Sequence, residues 1–406
     1  MPEKLKIAML ITNYGFGGAQ KAFSDHSRIL GEQAEVREFV FNDTEEKRLY
    51  ETGNPYRSLE VDGGGGIVGN IVHLLQRVRR FRAAKKEFKP QITVSFMEGA
   101  DYVSLLSGGK DRKVVVIQGS KVGDQNISGL KGWLRHKVLM PWLYRRADKI
   151  IGVSEDIRRE MTGAYGVAPE KVAVVHNFYD EENLAGRIAA PVPQELSALF
   201  RPDAFRLITF ARLAVQKNLS ALFPVFKALK ASGQAVRLYI LGDGELRDEL
   251  VRQAKEAGTV WTVWDGGTAP ADAEIFFLGF QPNPQSFVQY ADLFLMPSLW
   301  EGSPLALCEA MASDIAVMSA DCPTGPREII DEDPGGTAFG VLRNGALMPM
   351  ISNAADTDHI EFWARSITAL IGDRSLLENI RLAGGQRVKH FGKKALGPKW
   401  YAEYIS

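Results

Sequence analysis

Three stretches of this 406-residue chain combine residue types that can hold a charged group and assist its transfer. In residues 298–311, Glu301 and Glu309 bracket a Ser303-Pro304 step. That step reads as a helix start, with Ser303 as the capping side chain and proline at the first helical position. The free amides of Ser303 and Leu305 (Pro304 has none) would face an anion such as a phosphate. Glu309 falls about two turns into an otherwise apolar helix. A buried carboxylate there costs on the order of several kcal/mol unless it is paired or hydrogen-bonded. Either a diol such as a ribose or a structural salt bridge would meet that need. In residues 210–218, Arg212 and Lys217 stand five apart after a buried run. One pyrophosphate could take the guanidinium fork and the ammonium together; two solvated loop cations are the alternative. In residues 13–19, Gly15, Gly17 and Gly18 allow backbone amides to approach an anion where a helix begins, though a tight turn needs them equally. The spacing is not G-x-G-x-x-G followed by an acid on the next strand, which weighs against a dinucleotide oxidoreductase.

These residues need a frame, and the apolar pattern supplies one. Runs at 6–12, 36–41, 91–96, 113–117, 149–153 and 172–175 read as strands, as do 206–210, 236–241, 275–278, 293–296 and 315–319. Residues 19–30, 72–88, 155–163, 220–232, 245–258, 304–313 and 357–371 have helical spacing. Such alternation implies parallel sheets covered on both faces. It breaks at 180–203, where 189–193 reads Ala-Ala-Pro-Val-Pro. The expected fold is therefore α/β, with two doubly wound Rossmann-like domains facing across a cleft. The first spans 1–185, a linker 186–203, the second 204–390, and a C-terminal helix over 391–406 packs back on the first. Ligands of such folds lie at the carboxyl ends of the strands. Four glycines at 63–66 read as a mobile loop.

Composition narrows the function classes. Basic and acidic residues both number 49, so no whole-chain field calls for nucleic acid. The charge is uneven, with a net of +5 over 1–190 and −5 over 191–406. Cys308 and Cys322 provide no disulfide framework and suggest a reducing compartment. No apolar run is long enough to span a bilayer, so any membrane contact would be from the surface. Two D-x-D spacings, at 331–333 and 356–358, lack a strand immediately before them, and the histidines show no H-x3-H pair. No metal is expected.

The three motifs, in this order, resemble the retaining glycosyltransferases of the GT-B fold, specifically glycosyltransferase family 4. The matching residues are Gly17-Gly18-Ala19, Arg212 with Lys217-Asn218, and Glu301 with Glu309. Gly152-Val153-Ser154, Val175-His176-Asn177, Leu241-Gly242-Asp243-Gly244 and residues 321–328 agree, so the resemblance covers nearly the whole chain. It implies a nucleotide-diphosphate sugar as donor, UDP rather than GDP, with no cofactor and no metal. It assigns Arg212 and Lys217 to the diphosphate and Glu301 to the donor sugar. It further assigns Glu309 to the ribose, Gly17, Gly18, Ser303, Pro304 and Leu305 to the phosphates, and Gly279, Phe280 and Gln281 to the base. One departure stands out. Many relatives carry a catalytically important histidine where this chain has Gln118, which can hydrogen-bond a sugar but cannot take a proton. The resemblance then implies same-face attack, with the leaving phosphate accepting the proton.

The acceptor side is read from residues 74–89. Leu74, Val78, Phe81 and Phe88 share one helical face, while Arg77, Arg79, Arg80, Arg82, Lys85, Lys86 and Lys89 crowd the rest against Glu87 alone. Such a helix suits an anionic membrane or a phosphorylated lipid acceptor, or else a solvated helix on a sheet. A second cluster over 131–146 interleaves aromatics with cations. Arg79, Arg80, Arg82 and Lys85, with Gln118, are the acceptor-side candidates. The expected protein is cytoplasmic and peripheral on the inner face of the cell membrane. It would transfer sugar to a lipid-linked or envelope-polysaccharide glycan. A soluble acceptor (a glucan or small metabolite) and a non-catalytic sugar-nucleotide sensor are the alternatives.

Overall fold

The computed structural model describes all residues except 1–3, 16, 44–49, 65, 123–128, 265–268, 271 and 334, with backbone alone at 67, 130 and 131. Phe16 of the glycine loop, Gly65 and the Lys131 side chain therefore lie outside the described residues. The chain divides into two compact units, Met1–Phe178 with Lys394–Ser406, and Tyr179–Lys393.

The first unit is built on seven strands: β1 (Lys6–Ile11), β2 (Glu35–Val40), β3 (Tyr56–Ser58), β4 (Ile92–Phe96), β5 (Arg112–Ile117), β6 (Lys149–Gly152) and β7 (Val172–Val174). Their order is β3-β2-β1-β4-β5-β6-β7, with every pair parallel. β1 past Lys6 and all of β4 are buried on both sides because helices cover both faces, with Thr93 and Ser95 the polar residues within β4. On one face, Phe96 of β4 packs edge-on against Phe23 of the helix Gly18–Gln33, with ring centroids 5.4 Å apart. On the other face, Ser95 donates to Asp101 of the helix Glu98–Leu106 at 2.8 Å. Thr93, pointing the same way, meets Asp111, which also holds Lys85 of the helix Gly66–Phe88. Tyr144, from the helix Met140–Tyr144, reaches the same Asp101 at 3.2 Å. Right-handed crossovers require this split, since β1 to β2 steps one way and β3 through β6 steps the other.

Helix Lys393–Ile405 closes the unit: the Trp400 ring lies 4.2 Å from His26, and Tyr404 Oη hydrogen-bonds His26 Nδ1 at 2.9 Å. Burial pushes the His26 pKa down to about 3. Burial pushes Asp101 up to about 7, against the pull of Lys121, Ser95 and Tyr144. The two act oppositely on stability. Between about pH 4 and 6.5 the unfolded His26 takes a proton that the native state refuses, so its contribution falls as pH falls. Native Asp101 takes a proton that the unfolded state releases, so its contribution is lost as pH rises through about 7. Asp101→Asn removes the compensation. We expect the variant to lose about 2 kcal/mol relative to wild type between pH 7 and 5. The check is thermal unfolding of both proteins across that range; a constant difference in Tm would refute the opposition.

The second unit carries eight strands: β8 (Phe205–Phe210), β9 (Val236–Leu241), β10 (Trp261–Val263), β11 (Ile275–Phe277), β12 (Leu293–Met296), β13 (Ala316–Ala320), β14 (Gly340–Leu342) and β15 (Gly345–Met348). The order is β10-β11-β9-β8-β12-β13-β15-β14, parallel except for β14 against β15. β8 and β9 pair from Phe205 with Val236 to Phe210 with Leu241. Phe226, Leu229, Leu293, Leu295, Trp363 and Ile367 fill one core. The expected linker at 186–203 falls inside this unit, and the division comes earlier, between Phe178 and Tyr179. Asp180 caps the helix Glu181–Ile188 by accepting from Asn183 N at 2.9 Å. Leu184, Leu196, Leu199 and Phe200 are buried, and Phe200 stacks on Tyr239 at 3.9 Å. These few anchors hold down a stretch that looks polar by composition. No helix among the described residues is long and apolar enough to cross a membrane.

Candidate active site

In the second sheet β9 leaves β8 on one side and β12 lies on the other, so the loops after β8 and β12 diverge. This is the switch point at which doubly wound sheets bind ligands. Lys217 follows β8 on the turn Val215–Lys217, and Glu301 follows β12. Lys217 Nζ lies 2.7 Å from Glu301 Oε1; the carboxylate is buried and the ammonium partly wetted. Flanking residues fix the lysine from both sides. Gln216 Nε2 donates to Trp300 O at 2.8 Å, and Leu299 N donates to Gln216 O at 2.8 Å. Asn218, left-handed at φ 48°, donates to Ile351 O at 2.9 Å. The arrangement is a positioned cation that a phosphate could share with Glu301.

Arg212 is half-exposed and pairs with Glu245 at 3.1 Å. Its loop lies directly on the next one, where Leu213 N donates to Asp243 O at 2.9 Å and Gly242 N to Gly279 O at 2.7 Å. Gly242 has φ +142°, and a Cβ there would stand 1.9 Å from Ala211 O. That contact, not a ligand, explains why the Gly-Asp-Gly step carries glycine. Gly279 has φ +67° with open space around its Cβ position, and Phe280 is exposed. Gln281 turns its amide back to Leu278 O at 2.7 Å, so the Phe280 ring is what this loop presents.

The helix after β12 spans Leu305–Ala312, with Pro304 in the capping position at ψ 105°. Ser303 therefore stands one residue before the cap that it was expected to provide. Pro304 O already accepts from Leu307 and Cys308 N, at 3.1 and 3.3 Å, which defines the helix start. The preceding turn is pinned by Thr324, whose hydroxyl donates to Glu301 O. Thr324 holds φ +70°, a strained conformation for a β-branched residue, beside a residue expected to touch substrate.

Glu309 is buried, and the protein itself satisfies it. Arg187 lies 3.0 Å from Oε1, and Gln285 Nε2 donates to Oε2. Neither partner was legible in the sequence: Arg187 lies in the expected linker and Gln285 in a short 3-10 segment, Pro284–Tyr290.

In the first unit the equivalent switch point lies between β1 and β4. After β1, Asn13 Oδ1 accepts from Gly15 N and Gln20 Nε2, both at 3.0 Å. Gly17 is extended just before the helix, and Gly18 opens it with free space at its Cβ position. After β4, Met97 has φ +75°, and Glu98 is gripped by Arg135 Nε at 2.6 Å and by Tyr102. Burial pushes the Glu98 pKa up, yet Arg135, Lys121 and Tyr102 hold it below the usual carboxylate range. Sequence reasoning missed this group because its members are far apart in the chain. Gln118 follows β5; its Oε1 accepts from Asn177 Nδ2 at 2.8 Å, while its buried Nε2 has no hydrogen-bond partner among the described residues.

The cationic helix differs most from expectation. Lys85 is buried on Asp111 at 2.9 Å. Arg82 Nε donates to Ser107 O at 2.7 Å, and Arg80 to Leu59 O and Glu60 O at 2.6 and 2.9 Å. These three acceptor-side candidates tie loops to the sheet, because their long stems let the charge reach backbone carbonyls beyond the helix. Arg79, exposed like Arg80 and Arg82, has no such bond among the described residues.

Residues 17–183 match the family model described as Glycosyltransferase Family 4, and residues 204–371 match Glycosyl transferases group 1. An uncharacterized glycosyltransferase of Methanocaldococcus jannaschii is 27% identical over 265 residues, 63% of this chain and 62% of that protein. A Campylobacter jejuni protein, N-acetylgalactosamine-N,N'-diacetylbacillosaminyl-diphospho-undecaprenol 4-alpha-N-acetylgalactosaminyltransferase, is 22% identical over 87% of this chain and 91% of its own length. Among solved structures, Anabaena Alr3699/HepE in complex with UDP and glucose superposes with a TM-score of 0.73 at 17% identity, covering 99% of this chain and 100% of that one.

Proposed function

Because the chain belongs to the group 1 glycosyltransferases of the GT-B fold, family 4, we propose that it transfers a sugar, with retention, from a UDP-sugar to a lipid-linked glycan. The observation that carries the donor half is the Lys217–Glu301 pair at the β8/β12 switch point, 2.7 Å apart, with Arg212 on the adjoining loop. In the proposed reaction Lys217 moves from Glu301 to the diphosphate, and Arg212 adds a second charge. Glu301, released, accepts a hydrogen bond from the donor sugar. The acceptor oxygen bonds to the anomeric carbon on the face that the phosphate leaves. Its proton passes to the departing phosphate oxygen, so no side-chain base is required and Gln118 need only orient a hydroxyl. Two cations and a helix start stabilise the leaving charge, and we propose that no metal is needed. UDP is favoured by the Anabaena structure, and a lipid-linked acceptor by the diphospho-undecaprenol substrate in the name of the Campylobacter relative. A location on the cytoplasmic membrane face accompanies that acceptor.

The test is a panel of nucleotide-sugars with lipid-linked and soluble acceptors, with and without EDTA. Transfer only to soluble acceptors would remove the acceptor assignment. In the same reading a ribose diol takes over the Gln285 contact to Glu309. Glu309→Gln should then weaken UDP binding by about 10- to 100-fold, the range for a hydrogen bond to a charged group. Calorimetric titration checks it. Unchanged affinity with a large fall in Tm would assign Glu309 to the Arg187 salt bridge alone.

A further inference from the structure

We infer that Thr324, on the turn after β13, is a positioning residue of the proposed transfer: it seats the Glu301 backbone so that the carboxylate meets Lys217. The inference deepens the sugar-transfer reading and rests on it for its purpose; its geometry lies wholly within the second unit. β12 and β13 pair in parallel up to Met296 with Ser319, so the chain leaves both strands side by side at the carboxyl edge. There one turn binds both sides of Glu301. Glu301 N donates to Pro323 O at 3.3 Å, and the Thr324 hydroxyl donates to Glu301 O. The contact continues past Glu301. A Cβ at Gly325 would stand 2.3 Å from Gly302 O and 2.9 Å from Pro304 Cδ.

The turn is held in place without help from Glu301. Asp321 N extends the β13–β15 ladder by donating to Met348 O at 2.8 Å. Arg327, in the helix Pro326–Ile330, clasps the Asp321 carboxylate, with Nη2 and Nε donating to Oδ2 at 2.6 and 3.0 Å. Arg387, from the helix Arg374–Arg387, donates to Ile329 O and Glu328 O, each at 3.0 Å. Thr324 therefore ties Glu301 to a fixed body.

The residue type at 324 shows what the tie is for. Of the six described non-glycine residues with positive φ, Thr324 is the one with a β-branched side chain. Glycine would take φ +70° freely, and the chain does use glycine at the next position, where φ is +94°. A threonine there carries backbone strain, and its buried hydroxyl is spent on Glu301 O. The strain is explained by that bond, since the turn alone would be better served by glycine. Lys217 is seated in a parallel way: Asn218 beside it is left-handed at φ 48° and donates its amide to Ile351 O at 2.9 Å. In the proposed reaction Glu301 serves Lys217 first and the donor sugar next, from one backbone position. A misplacement of about 1 Å at such a group costs on the order of 10²-fold in rate.

Three variants of the full chain separate the hydroxyl from the strain. Thr324→Gly removes both, Thr324→Val removes the hydroxyl and keeps the strain, and Thr324→Ser keeps the hydroxyl. On the nucleotide-sugar that wild type turns over, kcat should fall about 10- to 100-fold in the Gly and Val variants, with donor KM changed less than about threefold. Thr324→Ser should stay within about threefold of wild type. Thr324→Gly should hold its Tm within about 3 °C, because relief of strain offsets the lost hydrogen bond. Wild-type kcat in Thr324→Gly or Thr324→Val, or a loss in Thr324→Ser as large as in Thr324→Val, overturns the inference. A second measurement needs no substrate. The non-additivity in Tm between Lys217→Met and Glu301→Gln reports their pairing, and it should shrink by about half or more in the Thr324→Val background. Unchanged non-additivity overturns the inference. A pair that loosens in a protein turning over no nucleotide-sugar removes the transfer reading and leaves Thr324 its hold on the pair.

Discussion

Lys217→Ala lowers turnover by about two to three powers of ten, the cost of removing one preorganised charge from a developing phosphate anion. Arg212→Ala acts in the same direction. The loss falls mainly on kcat, because the charge grows as the sugar–phosphate bond breaks. The fold survives. Lys217 N still donates to Ala214 O at 3.0 Å, and Gln216 and Asn218 still anchor the turn to Trp300 O and Ile351 O. Glu301 loses its partner while buried, which adds about 1–3 kcal/mol of destabilisation. Steady-state kinetics on wild type and both variants, with Tm as a control, make the comparison. Near-normal turnover in Lys217→Ala would remove the leaving-group role and leave the pair a structural one.

The second large effect is on stability. Gly242→Ala sets a methyl group 1.9 Å from Ala211 O and forces φ +142° on a residue with a side chain. Neither neighbour can yield cheaply. The Ala211 peptide is held to the sheet by its N–H to Leu241 O at 3.0 Å, and Gly242 N is committed to Gly279 O at 2.7 Å. Overpacking and backbone strain together cost about 3 kcal/mol or more. For a unit of this size that lowers Tm by roughly 6–12 °C. UDP binding should fall with it, since a displaced Ala211 carries Arg212 away. Gly372→Ala, at a position with open space and no positive φ, is the matched control and should leave Tm within a degree or two. A Gly242→Ala protein as stable as that control would show that the loop shifts freely.

The apolar runs announced most of the long strands, and their alternation with helices announced parallel, doubly covered sheets. Among the three-residue strands, β7 and β11 announced themselves as apolar runs, whereas β3, β10 and β14 did not, because none of their residues is fully buried and no apolar run marks them. The chain near 186–203 reads as a linker because its buried anchors, Leu196, Leu199 and Phe200, are few against its Ala, Pro and charged residues.

The candidate site divides along the same physical boundary. Residue type and local spacing, both carried by the linear chain, were enough to single out Lys217, Arg212, Glu301 and Glu309 as groups able to serve a charged transfer. The same local information marked a basic helix at 74–89, but could not tell which cations face water. Only the fold joined Lys217 to Glu301 across 84 residues, gave Glu309 the Arg187 and Gln285 contacts, and assembled Glu98 with Arg135. It also buried Lys85 on Asp111 and left Val68, Ile71, Val72 and Leu75 exposed. Helical periodicity places a residue on a face of its own helix. Which face meets the sheet is decided by packing against strands distant in the chain, and only tertiary structure contains that choice.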